Sequence, residues 1–336
     1  MRQAAPMELH ELARDSVVSA AEAAQLGLGP SDLRRMRRLG SVRRLIRGWY
    51  AVCPPGAPTP PWEGADHFDT ARRQHRLLTV ALIRSFEGRA VASHQSALVL
   101  HDIPLWKSDL ATAHLCRRRD DHSRHRPAAT LHPACQAEPV LSPPGYLTVP
   151  VPQAVVQVGL HPVGPGRGTF PFESLVAADA ALHHGLTTLD EIQQVVHAHA
   201  GHPGIAGVRR LLERADGRHE SVGETRLAHT LRLLGYRFTP QVWVTAEGRR
   251  WRADFELDDE PVIVEFDGLA KYTGGLPNPT PEQSRQALAT EKWREDRLRD
   301  TGREVTRFVW AEVDDLPLVR SRVDAAIVRS RRRLRI

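Results

Sequence analysis

Lysine is nearly missing from this chain: of 46 basic residues in 336, only Lys107, Lys271 and Lys292 are lysine, and the rest are arginine. Such a bias reflects a GC-rich genome in which Arg codons stand wherever either residue serves, so the surviving lysines are worth locating. Two of them fall within 22 residues of each other, just after the densest carboxylate cluster of the sequence. Cysteine is scarce as well. Cys53, Cys116 and Cys135 are odd in number and widely spaced, which excludes a disulfide framework and a Cys-x-x-Cys zinc site and fits a reducing compartment. No apolar run reaches the roughly 18 residues of a membrane-spanning helix, and the opening MRQAAPMELHELARDS carries acids where a signal peptide needs an apolar stretch. The expectation is a soluble, cytoplasmic chain with no membrane partner.

What is present bounds the rest. With 41% hydrophobic and 26% charged residues, most of the chain can bury a core, and its length suggests two or three domains. A net charge of +6 favours a polyanionic partner.

Residues 1–60 are expected to form a small helical module closed by a hairpin. MELHELAR is amphipathic, Ser19 can N-cap AAEAAQL, and Gly27 ends that helix. Pro30 and Ser31 open a third helix, with Leu33, Met36 and Leu39 inward and Arg34, Arg35, Arg37 and Arg38 outward. RRLIRGWYAV then reads as strand, turn and strand, adding Arg43, Arg44 and Arg47 beside Trp49 and Tyr50. Two helices, a basic helix and a basic hairpin are the pattern of a winged helix-turn-helix, whose third helix enters the DNA major groove while the wing touches backbone. The seven arginines are therefore the candidate contacts to double-stranded DNA; the competing reading is a solvated face inflated by Arg-rich composition.

CPPGAPTPPWEG, residues 53–64, reads as a linker or long ordered loop, and residues 61–215 as an α+β middle domain. ARRQHRLLTVALIRSF and VASHQSALVLHDI are helix candidates, ATAHLCRRR with RPAATLHPA suggests a basic hairpin, and FESLVAADAALHHG and TLDEIQQVVHAHAG are helices stopped by Gly185 and Gly201. His114, Cys116, His122, His125, His132 and Cys135 could be written as a zinc site, but their spacing matches no finger pattern and the intervening RRRDD and SRHR read as an exposed basic loop. His183, His184, His197, His199 and His202 sit at helix ends, where they can cap carbonyls. VGPGRGTF lacks the GK[ST] of a phosphate loop and reads as a turn.

Residues 216–336 order as helix, three antiparallel strands, helix and strand, an α/β sandwich with a central mixed sheet. SVGETRLAHTLRLLGY has Ser221 and Glu224 at capping-box spacing, with Leu227, Leu231 and Leu234 on one face. RWRADFEL and PVIVEFDG form a hairpin across DDEP. If Leu257 faces Val262, Asp254 stands opposite Glu265 and Arg252 opposite Asp267, while Ala253, Phe255, Val264 and Phe266 point to the core. Two facing carboxylates repel unless a cation separates them, so Mg²⁺ or Mn²⁺ is the expected occupant, and deleting one carboxylate is expected to relieve repulsion. The alternative is a solvated hairpin edge with Asp254 paired to an arginine.

Glu224 on a helix, Asp254 in RADFEL and Glu265 in VIVEFDG resemble the core of the PD-(D/E)-x-K nuclease superfamily. EKWREDRLRDTGREVTRFVW is similar to the ending of its very-short-patch-repair-like endonuclease domains. RRLIRGWYAV and SHQSALVLHDIPL resemble the abortive-infection type IV antitoxin family, which begins with a winged helix. The first resemblance implies that Asp254, Glu265 and the Phe266 carbonyl ligate the metal, with Glu224 auxiliary, in the hydrolysis of a DNA phosphodiester. It departs from the pattern where a lysine is due two residues after the glutamate, since Asp267 stands there. Lys271, or Lys292 in the following helix, is the expected substitute cation. The reading is a bacterial-type DNA-binding protein carrying a Mg²⁺-dependent deoxyribonuclease of repair or defence. Its rival is an antitoxin-like transcriptional regulator that keeps the nuclease fold as a binding surface. A toxin or repair partner is left open.

Overall fold

The computed structural model describes residues 5–119, 122–161, 171–268 and 280–333. The chain divides into two compact units, residues 1–181 with 185–215, and residues 182–184 with 216–336. It is of mixed α and β type, with three sheets among the described residues.

The first unit opens with α1 (Ala5–Leu12), β1 (Val17–Ser19), α2 (Ala20–Gln25), α3 (Pro30–Arg38), β2 (Val42–Ile46) and β3 (Trp49–Val52). Local chemistry sets these boundaries. The Ser19 hydroxyl accepts the Glu22 N–H at 3.1 Å while the Glu22 carboxylate accepts the Ser19 N–H at 2.8 Å, so two orphan donors of α2 are satisfied reciprocally. Gly29 and Pro30 start α3, where the missing N–H of proline costs nothing. Gly48, at φ +78°, makes the turn between β2 and β3 that a side chain would strain. The strands pair antiparallel in the order β1-β3-β2, and Leu9, Val18, Leu33, Met36, Val42 and Val52 fill the core beneath them. Leu39, expected inward, is 73% exposed because α3 stops at Arg38 and its cap leaves the buried face. This architecture is compatible with a winged helix.

Trp62 is buried within the Pro- and Gly-rich stretch that follows, which is thus an anchored loop. The remainder of the unit comprises α4 (His67–Phe86), β4 (Ala90–Ala92), α5 (His94–Leu100), β5 (Ala113–Arg117), β6 (Arg124–Arg126), β7 (Ala129–His132), β8 (Val140–Leu141), β9 (Leu147–Thr148), α6 (Val151–Leu160), α7 (Phe172–His183), α8 (Leu189–Ala198) and α9 (Ile205–Leu212). Its sheet runs β6-β7-β5-β4-β9-β8. Two expectations change here. VASHQSALVLHDI is not helical throughout, because its β-compatible start enters the sheet as β4 before Ser93 and His94 open α5. ATAHLCRRR and RPAATLHPA are not partners in a hairpin: β5 and β7 run parallel, and the antiparallel partner of β7 is the short strand β6. Arg84 of α4 ties this part to the helical module, donating to the Val17 carbonyl at 2.5 Å and to Glu22 at 2.6 Å. Burial pushes the Glu22 carboxyl up, but the Ser19 N–H, its hydroxyl and the two cations Arg84 and Arg14 together bring it below its ordinary value.

The second unit contains α10 (Val222–Leu233), β10 (Phe238–Ala246), β11 (Arg249–Leu257), β12 (Val262–Phe266), α11 (Pro281–Asp300), β13 (Glu304–Phe308) and α12 (Leu316–Arg333). Its sheet is β10-β11-β12-β13, antiparallel except for the parallel pair β12 and β13. One face buries Leu227, Leu231, Phe255, Val264, Phe308 and Val323, joining the sheet to α10 and α12. The other buries Val244, Ala253, Ile263, Leu298 and Val305 against α11. Gly223 permits the first contact, since a Cβ there would stand 2.1 Å from the Phe266 ring.

Ala253 was expected beside Phe255, and the structure separates them. In a regular strand, residues two apart share a face. Trp251 and Ala253 nevertheless pack with the α11 layer while Phe255 and Leu257 pack with α10 and α12. The change of face falls at Asp254, where the pair with Gln241 is missing from the ladder and Gln241 takes a left-handed conformation at φ +57°. Asp254 therefore sits at a kink.

Candidate functional site

Two charged constellations come from the sequence, one in each unit. In the first, Leu33 and Met36 anchor α3 to the core, and this fixes the opposite face: Arg34, Arg35, Arg37 and Arg38 are all exposed. Arg43, Arg44 and Arg47, on and after β2, are exposed too. Arg43 donates to Gln74 at 3.1 Å and Arg44 reaches the Ile46 carbonyl at 3.4 Å, contacts through which a guanidinium keeps its charge uncompensated. Helix and hairpin thus present seven cations from one small module. Trp49 and Tyr50 are half-buried beside them.

In the second unit, the pairs Phe255 to Val264 and Glu256 to Ile263 give the hairpin register that was expected. The ladder ends there. Asp254 turns its Oδ2 onto the Phe266 N–H at 2.8 Å, so its carboxylate takes the place of a strand partner. Arg252 accordingly does not meet Asp267 in the ladder; it forms an ion pair with Glu220 at 2.5 Å. Glu224 is buried and accepts from the Glu220 N–H at 3.0 Å, the Ser221 hydroxyl at 2.9 Å and the Gln241 side chain at 2.8 Å. The left-handed turn at Gln241 is what brings that amide to Glu224.

Glu265 is fully buried and lies between two guanidinium groups. Arg294 of α11 donates to Oε1 at 2.5 Å and to Oε2 at 3.3 Å, and Arg307 of β13 donates to Oε2 at 3.0 Å. Arg307 is its neighbour through the parallel register of β12 and β13, and Arg294 also holds the Arg252 carbonyl at 2.8 Å. The expected repulsion between bare carboxylates is thus answered at Glu265 by arginines of the same unit. Asp267 is buried, and its N–H donates to the Phe308 carbonyl at 2.8 Å. Among the described residues, no three of these carboxylates bring ligand oxygens within 4.8 Å of one another. Lys271 and the whole of VGPGRGTF lie outside the described residues, and Lys292 lies in α11.

Sequence reasoning missed Arg294, Arg307 and Gln241. The first two carry no signal in an arginine-rich chain, and Gln241 acts through an unusual backbone conformation that no motif announces. His114 is buried on β5 and His132 half-buried on β7, whereas His122 and His125 between those strands are exposed. His199 bonds the Val195 carbonyl in the last turn of α8 at 2.8 Å, and His197 bonds the Gln193 carbonyl, nearer the middle of that helix, at 2.8 Å.

A family model described as "Transcriptional regulator, AbiEi antitoxin" matches residues 7–52, the three helices and hairpin that carry the arginine face. In that segment the chain is similar to antitoxin transcriptional regulators. The crystal structure of the RV2827C protein from Mycobacterium tuberculosis aligns with 66% of this chain and 79% of that one, at 15% identity and a TM-score of 0.40. No curated protein matches the sequence. No helix among the described residues is long and apolar enough to cross a membrane.

Proposed function

We propose that this chain is a DNA-binding regulator of the antitoxin type, in which α3 enters the duplex and the β2–β3 hairpin grips the flanking backbone. The observation that carries this reading is the face of seven exposed arginines on the segment similar to antitoxin regulators. Guanidinium groups neutralise phosphates and release counterions, which gives affinity a steep salt dependence. Arg34 and Arg38 are one helical turn apart and address one stretch of backbone. The double variant Arg34→Ala/Arg38→Ala is expected to weaken duplex binding across all sequences and to lower the slope of log K against log salt by about 1.8. Between 50 and 200 mM salt, that amounts to about tenfold less salt sensitivity than the parent chain. Arg237→Ala, a surface change in the second unit, serves as the control. A double variant with the parental slope would remove α3 from the interface.

A second reading keeps the second unit as a Mg²⁺- or Mn²⁺-dependent nuclease, and the placement of Asp254 near the Glu265 strand position favours it. In that reading Asp254, Glu265, the Phe266 carbonyl and Glu224 hold the ion, and Lys271, Lys292 or Asp267 completes the site. It requires Arg294 and Arg307 to release Glu265. The arginine-held glutamate fits a binding surface better than an open metal site, so we place regulation first. Incubation with supercoiled, nicked and mismatched duplex, with and without Mg²⁺ or Mn²⁺, separates the two: metal-dependent cleavage lost in Glu265→Gln would establish the nuclease.

A further inference from the structure

The first unit holds a second constellation that neither reading uses. His94 opens α5, His114 lies on β5, His132 ends β7 and His161 follows α6, so four imidazoles converge from four elements. One nitrogen from each lies within 4.8 Å of the corresponding nitrogens of the other three. The sheet explains half of this. β5 and β7 run parallel with Cys116 opposite His132 and His114 opposite Thr130, which sets His114 and His132 on one face of neighbouring strands.

The other half is held by the surroundings. His94 has φ +51°, a left-handed conformation uncommon for a residue with a side chain, at the point where β4 gives way to α5. Its backbone N–H donates to Gln157 at 3.2 Å and its Nδ1 lies 3.0 Å from the Ser93 hydroxyl. The His114 N–H donates to the Ser96 hydroxyl at 2.8 Å, and that hydroxyl in turn meets His75 Nε2 at 2.9 Å. The Ser93 hydroxyl touches a ring nitrogen of His94, the kind of outer contact that fixes ring orientation around a metal.

We propose that His94, His114, His132 and His161 form a binding site for one divalent transition-metal ion, with Zn²⁺ the ion whose geometry it fits. Four nitrogen donors and no carboxylate exclude Mg²⁺ and Ca²⁺, which require oxygen. Zinc–nitrogen bonds of roughly 2.0–2.1 Å in a tetrahedron place the nitrogens about 3.3 Å apart. His114 Nδ1 and His132 Nε2 stand 2.8 Å apart, so an ion would replace one hydrogen bond by a separation of about half an ångström more. Cys116 stays outside this group of ligand atoms, and its Sγ accepts from the Gln157 amide at 3.8 Å. Access is provided by a cavity of about 860 Å³ onto which His94, His132 and His161 open. A closed set of four protein ligands makes the ion structural, pinning β5, β7 and the ends of α5 and α6 to one another.

The full chain, prepared without a histidine tag and stripped with chelator, is titrated with Zn²⁺ by calorimetry and with Co²⁺ by visible absorption. One ion per chain is expected, with the intense d–d bands of tetrahedral nitrogen coordination and a raised melting temperature. His132→Gln/His161→Gln is expected to weaken Zn²⁺ binding by about 10² or more, given that outer-shell changes alone cost 10- to 100-fold. His197→Gln, on the exposed face of α8, should bind like the parent chain. Equal Zn²⁺ affinity in the parent and double variant would overturn the proposal. So would octahedral or thiolate-type Co²⁺ spectra of the parent, a measurement that needs no variant to fold.

Discussion

Replacing Glu265 by glutamine tests whether the carboxylate cluster is held together by arginines or held apart by repulsion. On the sequence, removing a carboxylate from a facing pair is expected to relax the fold. The structure reverses the sign. Glu265 is 0% exposed, with Arg294 and Arg307 at 13% and 21%, so the three charges form a group largely cut off from water. Glu265→Gln leaves two guanidinium groups around a neutral amide that returns no charge. Breaking a buried ion pair from one side costs about 3–5 kcal/mol. For a unit of this size, that corresponds to a melting temperature lower by about 10–20 °C. The T-shaped pair of Trp251 and Trp293, with ring centroids 5.5 Å apart, joins β11 to α11 close to this group and reports its loss in near-ultraviolet circular dichroism. Replacing all three charges at once, as Glu265→Leu/Arg294→Met/Arg307→Met, should recover part of the lost stability, because the guanidinium groups are then removed together with the carboxylate they face. A Glu265→Gln protein that melts within about 1 °C of the parent would refute the clamp, since the cited cost predicts a far larger shift.

Three further outcomes follow from the geometry. Gly223→Ala forces a Cβ into the Phe266 ring and should destabilise the second unit by about 1–3 kcal/mol, measured by urea titration, although alanine is the better helix former. Ser19→Ala removes the N-cap of α2 and half of its reciprocal bond with Glu22, at about 1 kcal/mol in a thermal melt. His75 is fully buried, its Nδ1 donating to the Leu110 carbonyl at 2.9 Å, and burial lowers its pKa to about 4. Its neutral form is favoured by folding, so this stability is complete above the unfolded value near 6.5 and is lost as pH falls toward 4; melts in chelator should drop between pH 6.5 and 5, and less steeply in His75→Phe.

What could be read in advance was local. The Ser19 cap, the Gly48 turn and the inward Leu33 and Met36 are written in neighbouring residues, and the hairpin register follows from one short link between β11 and β12. The partners of Glu265 were not legible. Arg294 is separated from it by 29 residues and Arg307 by 42, and nothing distinguishes either from other arginines until β13 is seen to lie parallel to β12. The histidine quartet was hidden for a related reason. Only His114 and His132 fall in the stretch whose spacing invites a metal motif, while His94 and His161 reach the same point through α5 and α6. A search by spacing along the chain cannot find ligands that a parallel sheet assembles across it.

Among the described residues, the outer strands of the two larger sheets also bear on how this chain behaves among copies of itself. A free strand edge is a template for further pairing, and proteins commonly spoil it with charge, brevity or proline. β6 ends the six-stranded sheet with Arg124, His125 and Arg126, all exposed, and β8 closes the other side with two residues. β10, at the border of the four-stranded sheet, carries Pro240, which has no N–H to offer, followed by the left-handed Gln241. The same Gln241 that reaches Glu224 therefore also interrupts the edge on which a stray strand would dock, so one backbone irregularity serves both the acidic cluster and resistance to aggregation.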